Sequence, residues 1–487
     1  MSRFLFTLLP SNDLGVITRA LPVAKSLREK GHTIVFSVCS KVPSKLLNEE
    51  NFVNIPIRTP IDNYYFELKK LKNNNDSLPV KFLKNIKLLQ RTIVTMLKAL
   101  PIKFVKPTAK VIDMEHFFII NGILNKNFIF YKVESYMRVI NKVDADFVID
   151  FWNPYAVIAA KVLNLPLITI NQFDVHPASN GFIWWQEKKS KVKSALPIVN
   201  SVLRQYHLKE VNKFEELTVG DLTLTLGMPG KEEENNSYIN HIGFLVYQKE
   251  GSTLPMAIKE LDNTKPLVWV YSGNPRYSGI KTDFDSEILI DICVKILAKE
   301  DINIVLTTGY HSISSKYYPL PKNIYFSEFV DGILMAERAD IVIHHGGYGS
   351  CQTALLTGTP SLIIPTFSER ESNARRIAKL GVGEFVLPIK KKYSKSKVVN
   401  KNEFINKFHQ VLNEEKYKRK ANEIKNELKV FNQKNNAIKQ IEKFIYEYNK
   451  RSENQQQKKL RFIKSYSKNL KVIKNKNEKY PILISQY

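Results

Sequence analysis

The apolar positions of this 487-residue chain fall into two kinds of pattern. Short β-branched and aromatic runs at 4–9, 33–38, 145–150, 167–170, 222–226 and 241–245 predict buried strands, as do those at 267–271, 304–308, 341–343 and 361–364. Between them lie stretches with a single apolar face. Residues 16–30 carry Leu21, Ala24 and Leu27 at helical spacing and close at Gly31, and 156–163 and 372–380 are further helices. The clearest helical period covers 81–100, where Phe82, Ile86, Leu89, Ile93, Met96 and Leu100 share a face. Lys84, Lys87, Arg91 and Lys98 take much of the remainder, and Pro101 ends the run. That apolar face is expected to be core rather than a membrane contact, while the basic flank suits either. Near the end, Phe404, Phe408 and Leu412 predict one helix, and Ile438, Ile441, Phe444 and Tyr448 another. Alternating strands and helices predict an α/β chain of βαβ units.

One stretch, 340–385, carries the most specific pattern. A β-branched run ends in His344-His345-Gly346-Gly347-Tyr348-Gly349-Ser350, and a helical pattern follows at Ala354, Leu355 and Leu356. Glycines let backbone N–H groups approach an anion, and a helix start adds unpaired donors and the positive end of a dipole. Strand, glycine turn and helix together form a candidate phosphate site. A second strand leads to Pro365, a polar loop with Ser368, Glu369 and Arg370, and another helix. Ordinary tight turns would explain the glycines but not the spacing from Pro365 to Asn373-Ala374. The first βαβ turn, Ser11 to Gly15, has no G-x-G-x-x-G, which argues against a dinucleotide site there.

In this order and spacing, His345-Gly346-Gly347, Gly349-Ser350, Pro365, Asn373-Ala374-Arg375 and Gly381-Val382-Gly383 resemble the C-terminal signature of GT-B glycosyltransferases in the UDP-glycosyltransferase group. The doubled His344-His345 is most similar to the sterol and antibiotic branches. The resemblance implies two Rossmann-like domains facing across a cleft, with a C-terminal crossover helix. The divisions would then be 1–246 (acceptor side), 247–264 (linker), 265–431 (nucleotide-sugar side), 432–450 (crossover helix) and 451–487 (a basic, disordered tail). The implied activity is transfer of a hexose from a nucleotide diphosphate sugar, UDP-hexose being the first expectation, to a hydroxyl acceptor that is small and hydrophobic or lipid-like. Inversion is implied, with no metal and no other cofactor.

The same resemblance assigns residues. His345, Gly346, Gly347, Gly349 and Ser350 would hold the diphosphate, His345 through a ring N–H, with Ser272 and Gly273 facing it from another strand end. Phe329 and Val330 stand where relatives stack on the base, and Phe keeps a π face. Glu369 and Arg370 stand where relatives hold the hexose hydroxyls; the Arg370 charge suits an acidic sugar or a pair with Glu371. Thr353 replaces a glutamate that grips the ribose in some relatives. The catalytic histidine of many relatives aligns with Val16, so Asp13 is the expected base, assisted by Asp150; helix or turn capping is the alternative for each. His176 is expected at the surface or lining the pocket, and 63–142 is expected to shape the acceptor site.

Composition changes this picture at two points. Cys39, Cys293 and Cys351 lie too far apart for a disulfide framework or a metal motif, which suits a reducing, cytoplasmic setting. No apolar run is long enough for a membrane helix. The net charge is +26, and from residue 388 onward 27 Lys and Arg face 9 acidic residues, an excess of 18. The tail is therefore expected to favour anionic membrane surfaces. Nucleic acid is not expected, since no RNP-type or metal-finger module is present. Two rival classes remain: a catalytically silent nucleotide-sugar-binding partner, motivated by Val16, and a basic binder of membrane or nucleic-acid surfaces on the same scaffold.

Overall fold

The protein is described from a computed structural model that covers residues 1–11, 14–72, 76–98, 100, 111–186, 193–228, 239–273, 287–390, 397–434 and 436–451. Asp13 and the basic tail lie outside the described residues. Strands β1 (Arg3–Leu8), β2 (Thr33–Ser37), β3 (Val53–Asn54), β4 (Phe147–Phe151), β5 (Leu167–Asn171) and β6 (Leu222–Thr225) form one parallel sheet, ordered β3-β2-β1-β4-β5-β6. Strands β7 (Leu267–Tyr271), β8 (Asn303–Thr307), β9 (Ile324–Ser327), β10 (Ile341–His344), β11 (Ser361–Ile363) and β12 (Gly383–Phe385) form a second, ordered β12-β11-β10-β7-β8-β9.

Both sheets have the same winding. The chain begins in the middle, winds outward, then crosses back and winds the other way. The reversal falls between β1 and β4 in one sheet and between β7 and β10 in the other. The carboxyl ends of those strands flank a crevice where α/β proteins bind ligands. β4, β5, β8 and β10 are buried along their whole length, as parallel strands covered on both faces must be. This is the two-domain GT-B architecture.

The two domains share a core. One apolar cluster runs from Phe4, Phe6 and Ile17 of the first domain to Tyr348, Leu355 and Ile377 of the second. The crossover helix, Ala437–Arg451, lies back on the first domain: Ile441 is fully buried, and Phe147 meets Phe444 and Tyr448 with ring centroids 6.4 and 5.5 Å away.

A polar seam joins the domains beside this core. Asp174 follows β5, and Arg376 lies on the helix Ser368–Lys379; the guanidinium donates to both carboxylate oxygens at 2.8 and 2.6 Å. Ser372 Oγ accepts from Trp184 Nε1 at 2.9 Å and donates to Asp174. Gln172 reaches Glu369 at 3.2 Å.

Two local expectations differ from the structure. Residues 241–245 make only isolated bridges to 225 and 227, because Gly243 turns the backbone through positive φ. Within 247–264 the short helix Met256–Lys259 buries Ile258. The predicted helix at 81–100 is Leu78–Lys98, but its apolar face is not core: none of its described residues is buried, and Phe82, Ile86, Leu89 and Ile93 are exposed.

The seam yields a stability prediction. Arg376→Met should strand the Asp174 carboxylate in the interface and cost roughly 3–5 kcal/mol in urea unfolding. The double variant with Asp174→Leu should recover much of that loss. If Arg376→Met alone is neutral, the pair does not hold the domains.

Candidate functional site

The site builds from four strand ends. β1 and β4 bring Thr7 and Asp150 to the first reversal point, while β7 and β10 bring Ser272 and His345 to the second. What each assigned residue can do depends on the bonds its polar atoms already make.

Asp150 is almost wholly buried, and burial pushes its carboxyl up to about 7. One oxygen accepts from Thr7 Oγ1 at 2.5 Å and the other from the Asn153 N–H at 2.9 Å. Asn153 in turn donates to the Leu8 carbonyl and to Tyr136 Oη, and caps the helix Pro154–Val162. One oxygen thus ties Asp150 to β1 and the other to the turn that follows β4. That turn is strained, because Trp152 sits at φ +67°, a region that bulky residues avoid. Trp152 faces the Arg19 guanidinium at 5.5 Å, and Arg19, buried in the first helix Ile17–Glu29, lies 5.1 Å from the Tyr348 ring.

Tyr348 opens the loop helix Tyr348–Thr357, whose N-cap is Gly347 and which no side chain caps. The amides of a first helical turn point out of the helix and invite an anion. A side chain at Gly349 would meet nothing within 4 Å, so open space lies beside that turn, and Ser350 is half-buried there. Thr353 donates back to the Gly349 carbonyl at 3.0 Å rather than facing a ribose.

The other loop residues serve the loop itself. The Gly346 N–H donates to His344 Nδ1 at 3.1 Å, and Asn373 Nδ2 donates to the Gly346 carbonyl at 2.9 Å. Gly346 has φ +86°, and a Cβ there would meet the Arg370 carbonyl at 2.7 Å. The His345 ring lies between two glycines: a Cβ on Gly347 would approach it to 2.7 Å and one on Gly273 to 3.0 Å. That ring hydrogen-bonds the Tyr271 backbone, and burial with the nearby Arg370 charge holds it neutral. The ring bonds Tyr271, and among the described residues Nδ1 has no hydrogen-bond partner. His344 is neutral too, pushed down to about 3 by burial.

The other residues assigned to the donor have these surroundings. Ser272 is buried, and its hydroxyl donates to the Gly273 carbonyl at 3.0 Å. The Val330 side chain packs in a core with Leu267 and Trp269. Phe329 has one face covered by Tyr310, ring centroids 4.5 Å apart and nearly parallel, so at most its other face serves a base. Glu369 accepts from Gln172 and, at 2.8 Å, from Asn373, and burial raises its carboxyl above the ordinary range. Arg370 donates to Thr366 Oγ1, while Glu371 takes Arg375 at 2.8 Å. His176 is half-buried; its Nδ1 accepts from the Ala178 N–H, and burial pushes it down to about 4.

Sequence reasoning missed Arg19, Gln172, Asp174 and Arg376. Arg19 stands on the polar side of a predicted helix, and only the fold shows that this side meets the second domain. Asp174 lies two residues before His176, which drew attention as the only imidazole in that loop.

Comparison with known proteins agrees with this geometry. Residues 291–443 match the erythromycin biosynthesis protein CIII-like C-terminal domain. The 4'-demethylrebeccamycin synthase of Lentzea aerocolonigenes is 30% identical over 124 residues, 26% of this chain and 27% of the relative. A sterol 3-beta-glucosyltransferase of Arabidopsis thaliana is 25% identical over 127 residues, 25% of this chain and 20% of the relative. The chain thus spans about a quarter of the length of the curated relatives it matches. Among solved structures, the spinosyn forosaminyltransferase SpnP superposes over 91% of this chain and 99% of its own, with TM-score 0.58 and 17% identity. The glycosyltransferase VinC superposes over 91% and 98%, with TM-score 0.58 and 15% identity. In fold, and in the sequence of its second domain, the chain is a GT-B protein resembling the family-1 glycosyltransferases, with similarity to both the antibiotic and the sterol branches.

Proposed function

We propose that the protein transfers a hexose from a nucleotide diphosphate sugar to a hydroxyl acceptor, with inversion. The observation that carries this reading is the uncapped, open start of the loop helix at the second sheet's reversal point, with Arg19 stacked over its first residue. Breaking the bond at C1 of the sugar leaves charge on the departing diphosphate. The first-turn amides, Ser350 and the Arg19 guanidinium are preorganised donors for that charge. Arg19 comes from the opposite domain, so the leaving group would be held from both sides of the cleft.

The acceptor proton needs a base within hydrogen-bond reach. Asp150 is committed to its turn, which leaves Asp13 as our assignment. The residue after it, Leu14, lies beside Gly309 of the second domain, which supports a place at the cleft. UDP-hexose stays the first donor to test. VinC was solved with DTDP and the spinosyn rhamnosyltransferase SpnG with thymidine diphosphate, so a thymidine nucleotide is the direct competitor. One observation favours the silent-partner reading: Val16, at the position of the relatives' histidine, is buried in the core. Such a protein would bind a sugar nucleotide and never consume it.

A ligand specific to the native state raises the melting temperature. UDP, UDP-glucose or thymidine diphosphate should therefore shift it. Ser350→Asp should abolish the shift while leaving the unliganded melt intact, since an acid is tolerated in the first turn of a helix. A full shift in that variant would move the phosphate site elsewhere.

Arg19→Met should lower kcat by about 10²–10³-fold, the loss typical of one preorganised donor. Unchanged kcat would exclude it from the leaving-group site.

Asp13→Asn should lower turnover by roughly 10²–10⁴-fold, the usual contribution of a general base, while sugar-nucleotide affinity holds. Near-parental turnover would remove Asp13, and no turnover in the parent, with binding intact, would establish the silent partner.

A further inference from the structure

The helix Leu78–Lys98 is turned inside out. At 100° per residue, Phe82, Leu83, Ile86, Leu89, Ile93 and Leu97 fall within an arc of roughly 120°. Each of them is between 38 and 66% exposed. The side of the helix that is partly covered, at Asn85, Leu88, Thr92 and Thr95, is the more polar one. There Tyr64 of the neighbouring helix Pro60–Lys72 donates to Asn85 at 2.9 Å, and Lys84 pairs with Asp76 at 2.6 Å. An amphipathic helix packed by its polar side leaves its apolar side for something else. Scattered exposed apolar residues need no explanation, but a contiguous stripe of this kind marks an interaction surface.

The charges say which kind. The helix carries Lys81, Lys84, Lys87, Arg91 and Lys98 and no acidic residue. Lys87, Arg91 and Lys98 border the apolar arc on one side and are exposed. Pairing two copies through this face would bring like charges together with no acid on the helix to offset them. A bilayer with anionic headgroups satisfies both features at once, taking the apolar arc into the acyl boundary and the basic edge onto phosphates. No described helix is long and apolar enough to cross a membrane, so this one would lie along the surface.

We propose that Leu78–Lys98 docks the protein on anionic membrane surfaces, apolar face inward. The hairpin leaves the first sheet after β3, at the carboxyl end of its strands, and its far end is tied back by Asn125, which donates to the Lys98 and Leu100 carbonyls at 2.8 and 2.6 Å. Docking would therefore hold the cleft end of the first domain toward the lipid. This inference does not depend on the transferase reading.

The test uses the full chain with phosphatidylcholine vesicles, with and without phosphatidylglycerol. The parent should sediment with the anionic vesicles, less so as salt rises. Leu83→Ser/Leu97→Ser should bind about tenfold more weakly or worse, with an unchanged melting temperature because both side chains are exposed. Lys87→Gln/Arg91→Gln should weaken binding to anionic vesicles only. In a Phe82→Trp variant, brominated acyl chains should quench emission beyond any loss in the parent. The proposal fails if the parent does not bind, or if the serine variant binds equally, as it would were the basic tail responsible. It also fails if the indole introduced by Phe82→Trp is not quenched, or if the parent is a dimer that the serine variant dissociates without any vesicle binding.

Discussion

The buried polar seam between the domains is the constraint on which the site depends. Asp174 and Arg376 meet in bidentate geometry, and a chain of bonds runs alongside from Gln172 to Glu369 to Asn373 to the Gly346 carbonyl. A buried ion pair adds little net stability over apolar packing of the same shape, yet breaking it is costly because one charge is left stranded. Such a seam therefore fixes register more than it glues. Any slip of one domain against the other would leave several buried groups unsatisfied together. The last link is the glycine-loop backbone, so domain register and loop conformation are set by one network.

That network explains why so few polar atoms in the glycine loop face outward. His344 takes the Gly346 N–H, Asn373 holds the Gly346 carbonyl, and His345 lies on Tyr271 between two glycines. Two of the conspicuous glycines are needed because a ring passes beside them, and one because its φ is positive. Within this loop only Gly349 opens onto empty space. A loop whose shape is fixed by its own hydrogen bonds loses little entropy on meeting a ligand, which is the advantage of preorganisation.

Much of the fold was legible in the sequence. The strands at both reversal points are short, apolar and β-branched or aromatic, and the glycine loop sits between an apolar run and a helical period. What was not legible has physical causes. The helix Glu415–Lys434 has a mostly polar surface with only Tyr417, Ala421, Ile424 and Leu428 buried, too thin a stripe to stand out among its lysines. The helix at 78–98 has a strong period that correctly gives its existence. Periodicity reports that a face is apolar, not what covers it, and so the expectation of core fails there. The bonds that the Asp150 carboxylate makes were not legible for a related reason. Position at a strand end follows from sequence, whereas the Oγ1 that binds the Asp150 carboxylate comes from Thr7, 143 residues away.

The electrostatics of the site follow from these placements. Two imidazoles at the end of β10 suggest a cationic pocket, but burial keeps both neutral, and Arg370 further disfavours charge on His345. The fixed positive potential comes instead from the start of a ten-residue helix and from Arg19. Neither titrates in the physiological range. The Asp150 carboxylate, bound to the Asn153 N–H, holds the turn in which Trp152 takes an unfavourable φ, and Trp152 flanks the guanidinium opposite Tyr348. Strain in one turn of the first domain thus places a charge against the loop of the second. On the proposed reading, a leaving diphosphate would meet donors from both domains only when the seam is closed, and catalysis would depend on the same register that the buried ion pair enforces.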